Sequence, residues 1–412
     1  MPRTAANTTR IRLLWAGFAF LYLLIALWIA LAASPEIGDE KVHYAQIDLF
    51  DHGDFRVYTT LLTTLPGYHA LVAGVLWLVD QRTLTAARML NALFGLLAIA
   101  GFHLLRRRAT GETSYAATLQ FAFLPILLPY CFLVYTDVLS VALVLAAGAA
   151  TLRARHRASA FLMLAAMAIR QVNVIWVPLY ACMAIRQAGL AFAQRRQRRD
   201  MVFLLIPYLL DITVFLVYWA WNGSISMSKE QVVMHPDFSL HAGNVYFALL
   251  LCGVLFPLHV ITGLKSAAVA ITERRWLAVL VIAVFALYWW SFRNDHPFNQ
   301  VTAPLWLHNY IVQRCAESVA WKAALGLIAV AAICGLAGTR LHSIGRAAFY
   351  GLSALALASF WMIEPRYALI PLSLWLALRE RCDAKIEGPT TVLWMALTGC
   401  VCLGAFSGTF LP

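Results

Sequence analysis

The chain has 412 residues, 62% of them hydrophobic and only 13% charged, with a formal charge of +12 and a mean hydropathy of +0.73. This excludes a set of ordinary soluble domains and predicts a polytopic membrane protein, all-α, folded as one integral membrane domain over residues 1–412. The basic residues stand in short loops between apolar runs rather than on one aromatic-interleaved face, which argues against nucleic acid as a partner and matches the positive-inside pattern, with membrane lipids as the surroundings.

The first apolar run, about Ile11 to Ala33, is long enough to span and reads as a retained helix rather than a signal peptide. Basic clusters at 106–108, 153–157, 186–199, 274–275, 340–346 and 379–385 are assigned to the cytoplasmic side. Residues 34–65 then form a polar, non-cytoplasmic first loop. Pro66 to Val79 is too short for a comfortable crossing and would carry the 106–108 arginines to the wrong side, so it is expected to be re-entrant or interfacial.

Leu84 to Leu105 returns, Thr113 to Cys131 goes out, Val138 to Leu152 returns, and Ala158 to Ile169 with Val174 to Ile185 makes a short outward and inward pair. Met201 to Trp221 goes out, His241 to Gly263 returns, and Trp276 to Phe292 leads out again. Val301 to Lys322 is compatible with either one or two crossings. Ala347 to Ile363, Ala368 to Leu378 and Val392 to Phe410 complete about a dozen segments of membrane-spanning length or somewhat less.

This threading sorts the loops by chemistry. Arginine-rich loops face the cytoplasm, and loops mixing Asp, Glu, His, Arg and Asn face the other way. Complementary polar groups gathered on one face suit a site that handles phosphate and hydroxyl groups. The eight cysteines lie nearly all in apolar segments without metal-ligand spacing, so neither a metal site nor a disulfide framework is expected.

Several polar residues admit two readings. Asp39 and His43 share one helical face at i, i+4 with Glu40 beside them, which suits a general base or, more plainly, an N-cap with a solvated charge pair. Arg170 can clamp a phosphate bidentately or snorkel to the interface. Arg366 is similar, with Glu364 as a local partner. Asp137 can be a second site carboxylate or a helix cap, Lys229 a ligand contact or part of a wet loop, and His296 a phosphate ligand or a turn residue before Pro297. No Walker loop, Rossmann glycine fingerprint or nucleophile elbow is present, which argues against a nucleotide-sugar enzyme with a soluble catalytic domain.

The polar joints, taken in order, resemble the alpha-1,2-glucosyltransferases of the DIE2/ALG10 type, within the GT-C superfamily. The resemblance rests on Asp39-Glu40-Lys41-Val42-His43-Tyr44-Ala45-Gln46, Thr63-Thr64-Leu65-Pro66-Gly67-Tyr68, Tyr135-Thr136-Asp137-Val138, Arg170-Gln171-Val172-Asn173-Val174-Ile175-Trp176, Trp221-Asn222-Gly223, His296-Pro297-Phe298 and Glu364-Pro365-Arg366-Tyr367. Two departures stand out. Ser224 to His235 replaces the family's Gly-Asp-Lys element, with Lys229 as the one equivalent, and only a trace around His308-Asn309-Tyr310 follows His296-Pro297-Phe298.

The resemblance implies a GT-C-type helical bundle and an inverting transfer of a hexose, glucose first, from a polyprenyl or dolichyl phosphate donor to a lipid-linked glycan acceptor, without a cofactor. It implies Asp39 as base with Glu40 next in line and His43 orienting. Arg170, Gln171, Lys229, His296 and Arg366 would then contact donor phosphate, and Thr64, Tyr68, Asp137, Asn173, Asn222 and Glu364 would line the site. Transfer of another sugar such as mannose to a bacterial glycan or lipid, or a transporter or flippase, are the alternatives. The Ala- and Arg-rich composition suits a bacterial plasma membrane with an outward-facing site, or the endoplasmic reticulum if the source is eukaryotic.

Overall fold

Apolar runs rich in Leu, Ala, Val and Phe fold as helices here because, away from water, every backbone N–H and C=O must be paired within its own segment. The computed structural model describes residues 2–32, 35–57, 61–190, 197–237, 239–302 and 305–411, and among these it is all-helical apart from isolated bridges. Residues 34 and 58–60 of the expected first loop lie outside the described set. The chain divides into two compact units, Met1–Gln231 and Val232–Pro412.

The first unit holds α1 (Pro2–Ala32), α2 (Glu40–Asp51), α3 (Gly67–Leu78), α4 (Leu84–Thr110), α5 (Ala116–Ala122), α6 (Thr136–Thr151), α7 (His156–Ile169), α8 (Val177–Gln187) and α9 (Gln197–Asn222). Helices α4, α6 and α7 form its centre. Gly101 lets α4 approach α6 closely, since a Cβ there would lie 3.3 Å from the Ala142 carbonyl. Helix α4 opens on the Thr83 hydroxyl, which accepts from the Ala86 amide, and closes on Gly111 in the left-handed region at φ +72°.

The second unit holds α10 (Gly243–Leu255), α11 (Pro257–Glu273), α12 (Trp276–Ser291), α13 (Leu307–Glu317), α14 (Val319–Gly338), α15 (Arg346–Ala358), α16 (Leu369–Leu378) and α17 (Ala384–Phe406). Tyr246, Phe247, Tyr288, Phe292, Val312, Cys315, Leu325 and Ile363 make its core. Helices α11 and α14 meet through glycines, a Cβ on Gly263 falling 2.4 Å from Gly335 Cα.

Among the described residues α4, α9, α14 and α17 are each long and apolar enough to cross a membrane. Together with the shorter apolar helices they make this a polytopic membrane protein. Two segments depart from the expected threading, and a third shows one of the two crossings it allowed. Residues 113–131 are not one helix: α5 stops at Ala122, and a separate 3-10 turn covers Pro129–Phe132, because Pro125 and Pro129 cannot continue a helical hydrogen-bond ladder. The expected inward run from His241 is two helices bent by 102° at Phe256–Pro257. Residues 301–322 contain the short α13, whose buried side is His308, Asn309, Val312 and Cys315, and one crossing candidate, α14, precedes Arg340. The 12-residue α3 is too short to span, as expected for Pro66 to Val79.

Candidate active site

Asp39 is the N-cap residue of α2, yet its carboxylate makes no capping bond to the helix. The half-buried residue is held through its backbone instead: its N–H donates to the Tyr135 hydroxyl at 2.8 Å, and that hydroxyl donates to the Ile37 carbonyl at 3.1 Å. The next residue, Glu40, is fully buried. Its Oε1 accepts from Arg88 Nε at 3.0 Å and the Val134 amide at 2.8 Å. Its Oε2 accepts from Arg88 Nη2 at 2.6 Å and the Ile37 amide at 2.8 Å. With both oxygens engaged, Glu40 serves to fix the start of α2 rather than to accept a proton, and a buried ion pair so fully bonded is one the fold can retain.

One turn along α2, buried His43 sets Nδ1 3.0 Å from Nε2 of His69 on α3. The Tyr135 and Tyr68 rings stand at 5.7 and 6.3 Å from it. Burial, with His43 alongside, holds the His69 imidazole well below its usual range. Tyr68 donates to Asn91 Oδ1 at 3.1 Å, and Asn91 Nδ2 ties down the Tyr130 and Leu133 carbonyls just before Tyr135.

Asp137 sits in the first turn of α6, where the helix dipole favours an acid, and Arg170 Nη1 donates to its Oδ1 and, at 3.4 Å, to Thr136. Arg170 occupies the extended residue that ends α7. Asn173 makes that ending possible, its Nδ2 bonding the Ala166 carbonyl at 2.7 Å and Ser140 at 2.8 Å. Gln171 acts as a backbone staple, accepting from the Leu65 amide at 3.2 Å and donating to the Thr63 and Ile225 carbonyls at 2.7 and 2.8 Å. Those bonds account for its amide without a phosphate. Thr64 beside the staple has a buried hydroxyl without a hydrogen-bond partner among the described residues. Gly67 lets α3 begin against α7, since a Cβ there would meet the Ala168 carbonyl oxygen at 2.5 Å.

Asn222 closes α9 by bonding the Ser224 and Ser226 carbonyls at 2.9 and 2.8 Å, with Gly223 left-handed at φ +75°. Lys229 is exposed in the following turn. His296, Glu364 and Arg366 belong to the second unit. His296 has both ring nitrogens committed to backbone, Nε2 to the Met234 carbonyl at 3.1 Å and Nδ1 to the Phe298 amide at 3.2 Å. Burial lowers its pKa, with the Met234 carbonyl opposing, so it has neither a charge nor a spare nitrogen for a phosphate. Arg366 forms a forked pair with Glu364 at 2.6 and 2.8 Å.

Within the first unit the fold therefore gathers Asp39, Glu40, His43, Tyr68, Asp137 and Arg170 from four separated stretches of chain. Two side chains of this gathering, Arg88 and His69, were not singled out from the sequence, and Tyr135 was quoted only within its motif. Arg88 had a signal, being an arginine one turn into an apolar helix, where a charge demands a partner.

Residues 34–202 match the DIE2/ALG10 family. That DIE2/ALG10 segment contains the whole gathering around Asp39, whereas Asn222, Lys229, His296, Glu364 and Arg366 lie beyond it. The chain is similar to the Dol-P-Glc:Glc(2)Man(9)GlcNAc(2)-PP-Dol alpha-1,2-glucosyltransferase of Mus musculus, with 25% identity over 314 residues, covering 63% of this chain and 66% of the relative. It thus spans just under two thirds of that relative's length. The protein of the same name from Drosophila melanogaster is 33% identical over 156 residues, 37% of this chain and 34% of that one. A solved structure, ArnT from Cupriavidus metallidurans in the apo state, aligns with a TM-score of 0.41 and 15% identity over 93% of this chain and 77% of that one.

Proposed function

We propose that this protein is an inverting, membrane-embedded hexosyltransferase that moves glucose from a polyprenyl or dolichyl phosphate to a hydroxyl of a lipid-linked glycan, forming an alpha-1,2 linkage. The observation that carries the proposal is the placement of Asp39: a half-buried residue at the start of α2 whose backbone is held by the Tyr135 hydroxyl, beside the buried Glu40–Arg88 pair. A carboxylate held in one position through its backbone suits proton transfer. The DIE2/ALG10 match over the same residues and the names of the relatives support the donor and acceptor classes.

In this reading the acceptor hydroxyl gives its proton to Asp39 as its oxygen bonds to the anomeric carbon. The bond from that carbon to phosphate breaks with its electron pair, leaving polyprenyl phosphate. Attack opposite the leaving group turns a beta donor into an alpha product. His43, steadied by His69, orients the acceptor side. Arg170, placed by Asp137, supplies the guanidinium that binds a donor phosphate oxygen. A phosphate ester leaves readily, so cation stabilisation is needed more than a strong acid. The site faces the outside of a bacterial plasma membrane, or the lumen of the endoplasmic reticulum in a eukaryote.

The test is transfer of labelled glucose from synthetic polyprenyl phosphate glucose to lipid-linked glycans by the purified protein and its Asp39→Asn variant, with the mannose donor in parallel. Transfer by the wild type and its loss in the variant support the reading. Equal transfer by a well-expressed Asp39→Asn protein removes Asp39 as base, and absence of transfer from either donor removes the transferase reading.

A further inference from the structure

The second unit contains a cavity of about 310 Å³ lined in part by His241, Trp290, Arg293, Asn294, Asp295 and Trp361. None of the chemistry above uses it. Its volume sits at the lower end of small-molecule sites, about 300–1,000 Å³, and suits a small polar ring better than a lipid chain.

One wall is built with unusual care for a segment without helix. Buried Asn244 donates to the Phe360 and Met362 carbonyls at 3.0 and 2.7 Å and accepts from the Glu364 amide at 3.0 Å. Buried Asn299 donates to the Ile363 carbonyl at 2.9 Å and accepts from its amide at 2.8 Å. These bonds aim Trp361, whose Nε1 donates to Asp295 Oδ1 at 2.7 Å. His241 stacks on the indole with ring centres 5.5 Å apart, and His296 meets it edge-on at 4.8 Å. An aromatic wall fixed before any ligand arrives lowers the ordering cost of binding.

The charges select the kind of ligand. Burial lowers the pKa of both His241 and His296, so both rings are neutral at pH 7. Arg293 and Asp295 remain and balance each other, so a phosphate here would face a carboxylate. Asn294 Oδ1 is buried with no hydrogen-bond partner among the described residues, and it calls for a donor. A carboxylate, an amide oxygen and a guanidinium beside an indole match a ring that carries several hydroxyls and presents C–H groups on its faces.

We propose that this cavity binds one neutral hexopyranose unit of a glycan. The idea rests on the transferase reading only for the choice of sugars to try. Trp290, 81% exposed, is also the kind of residue that sits in an interfacial aromatic belt, and a belt alone binds no sugar.

The full chain in detergent micelles is tested by saturation-transfer NMR with methyl α-D-glucopyranoside and methyl α-D-mannopyranoside, with inorganic phosphate as competitor. The expected result is binding of at least one glycoside, no displacement by phosphate, and about fivefold weaker binding in Asp295→Ala and Arg293→Ala, the loss of one hydrogen bond each. Trp361→Phe weakens binding further. Arg293 and Asp295 are exposed, so their variants keep the fold and carry the test if Trp361→Phe does not. No binding of either glycoside, displacement by phosphate, or unchanged binding in both exposed-residue variants overturns the inference. Sugar transfer without glycoside binding here removes this inference alone, and glycoside binding without transfer removes the transferase reading alone.

Discussion

Glu40 and Arg88, 48 residues apart in sequence, form a forked ion pair whose side chains are 0% and 1% exposed. The pair joins the start of α2 to α4 and, through the Val134 amide on the same carboxylate, to the segment that carries Tyr135. The position of Asp39 therefore depends on two residues that need not touch substrate.

Removing one member strands a buried charge, which typically costs about 3–5 kcal/mol. Arg88→Met is expected to lower the unfolding temperature in detergent strongly. The double variant Glu40→Gln/Arg88→Met should recover part of the loss, because no uncompensated charge remains. An Arg88→Met protein as stable as the wild type contradicts the role given to the pair.

In the proposed mechanism His69 acts only through His43, whose Nδ1 lies 3.0 Å from its Nε2. His69→Ala is expected to reduce turnover by up to about 10²-fold, the scale at which a misplaced catalytic group is felt. The acceptor KM should change little, and His69→Gln should restore part of the rate. Loss of folded protein without any change in turnover per folded molecule would make His69 a packing residue only.

Gly67 marks the approach of α3 to α7. Gly67→Ala forces a methyl group to within 2.5 Å of the Ala168 carbonyl oxygen, a backbone atom that cannot step aside. A destabilisation of about 1–3 kcal/mol is expected, read as a lower unfolding temperature. Gly74→Ala is the control, having nothing within 4 Å of its added Cβ, and should be near neutral.

His296 predicts a pH effect with a definite sign. Its pKa is lowered in the folded state by burial, so the unfolded chain takes up a proton first as pH falls. The stability contribution is complete above about pH 6.5, the unfolded value, and is lost progressively below it. Unfolding temperatures measured from pH 7.5 downward should drop less steeply in His296→Gln than in the wild type, since carboxylates common to both cancel in the comparison. Identical slopes would show that His296 titrates as it does in the unfolded chain.

Hydropathy was enough to determine that this chain is helical and polytopic, because burial of backbone in hydrocarbon leaves few alternatives. The order of the motifs also pointed to the DIE2/ALG10 family, whose model matches residues 34–202. What each polar residue does was decided only in three dimensions. Asp39 and Glu40 are neighbours of the same chemistry, yet Glu40 is buried in a forked pair with Arg88 while Asp39 is held by its backbone N–H on Tyr135, and nothing local to residues 39–40 announces an arginine on α4. Gln171 and His296 read as ligand contacts, but each turns out to hold backbone, because a buried loop must pair its N–H and C=O groups with whatever amide or imidazole lies within reach. The joints at Pro125–Pro129 and Phe256–Pro257 were likewise hidden from hydropathy, which counts apolar residues and takes no account of a missing N–H.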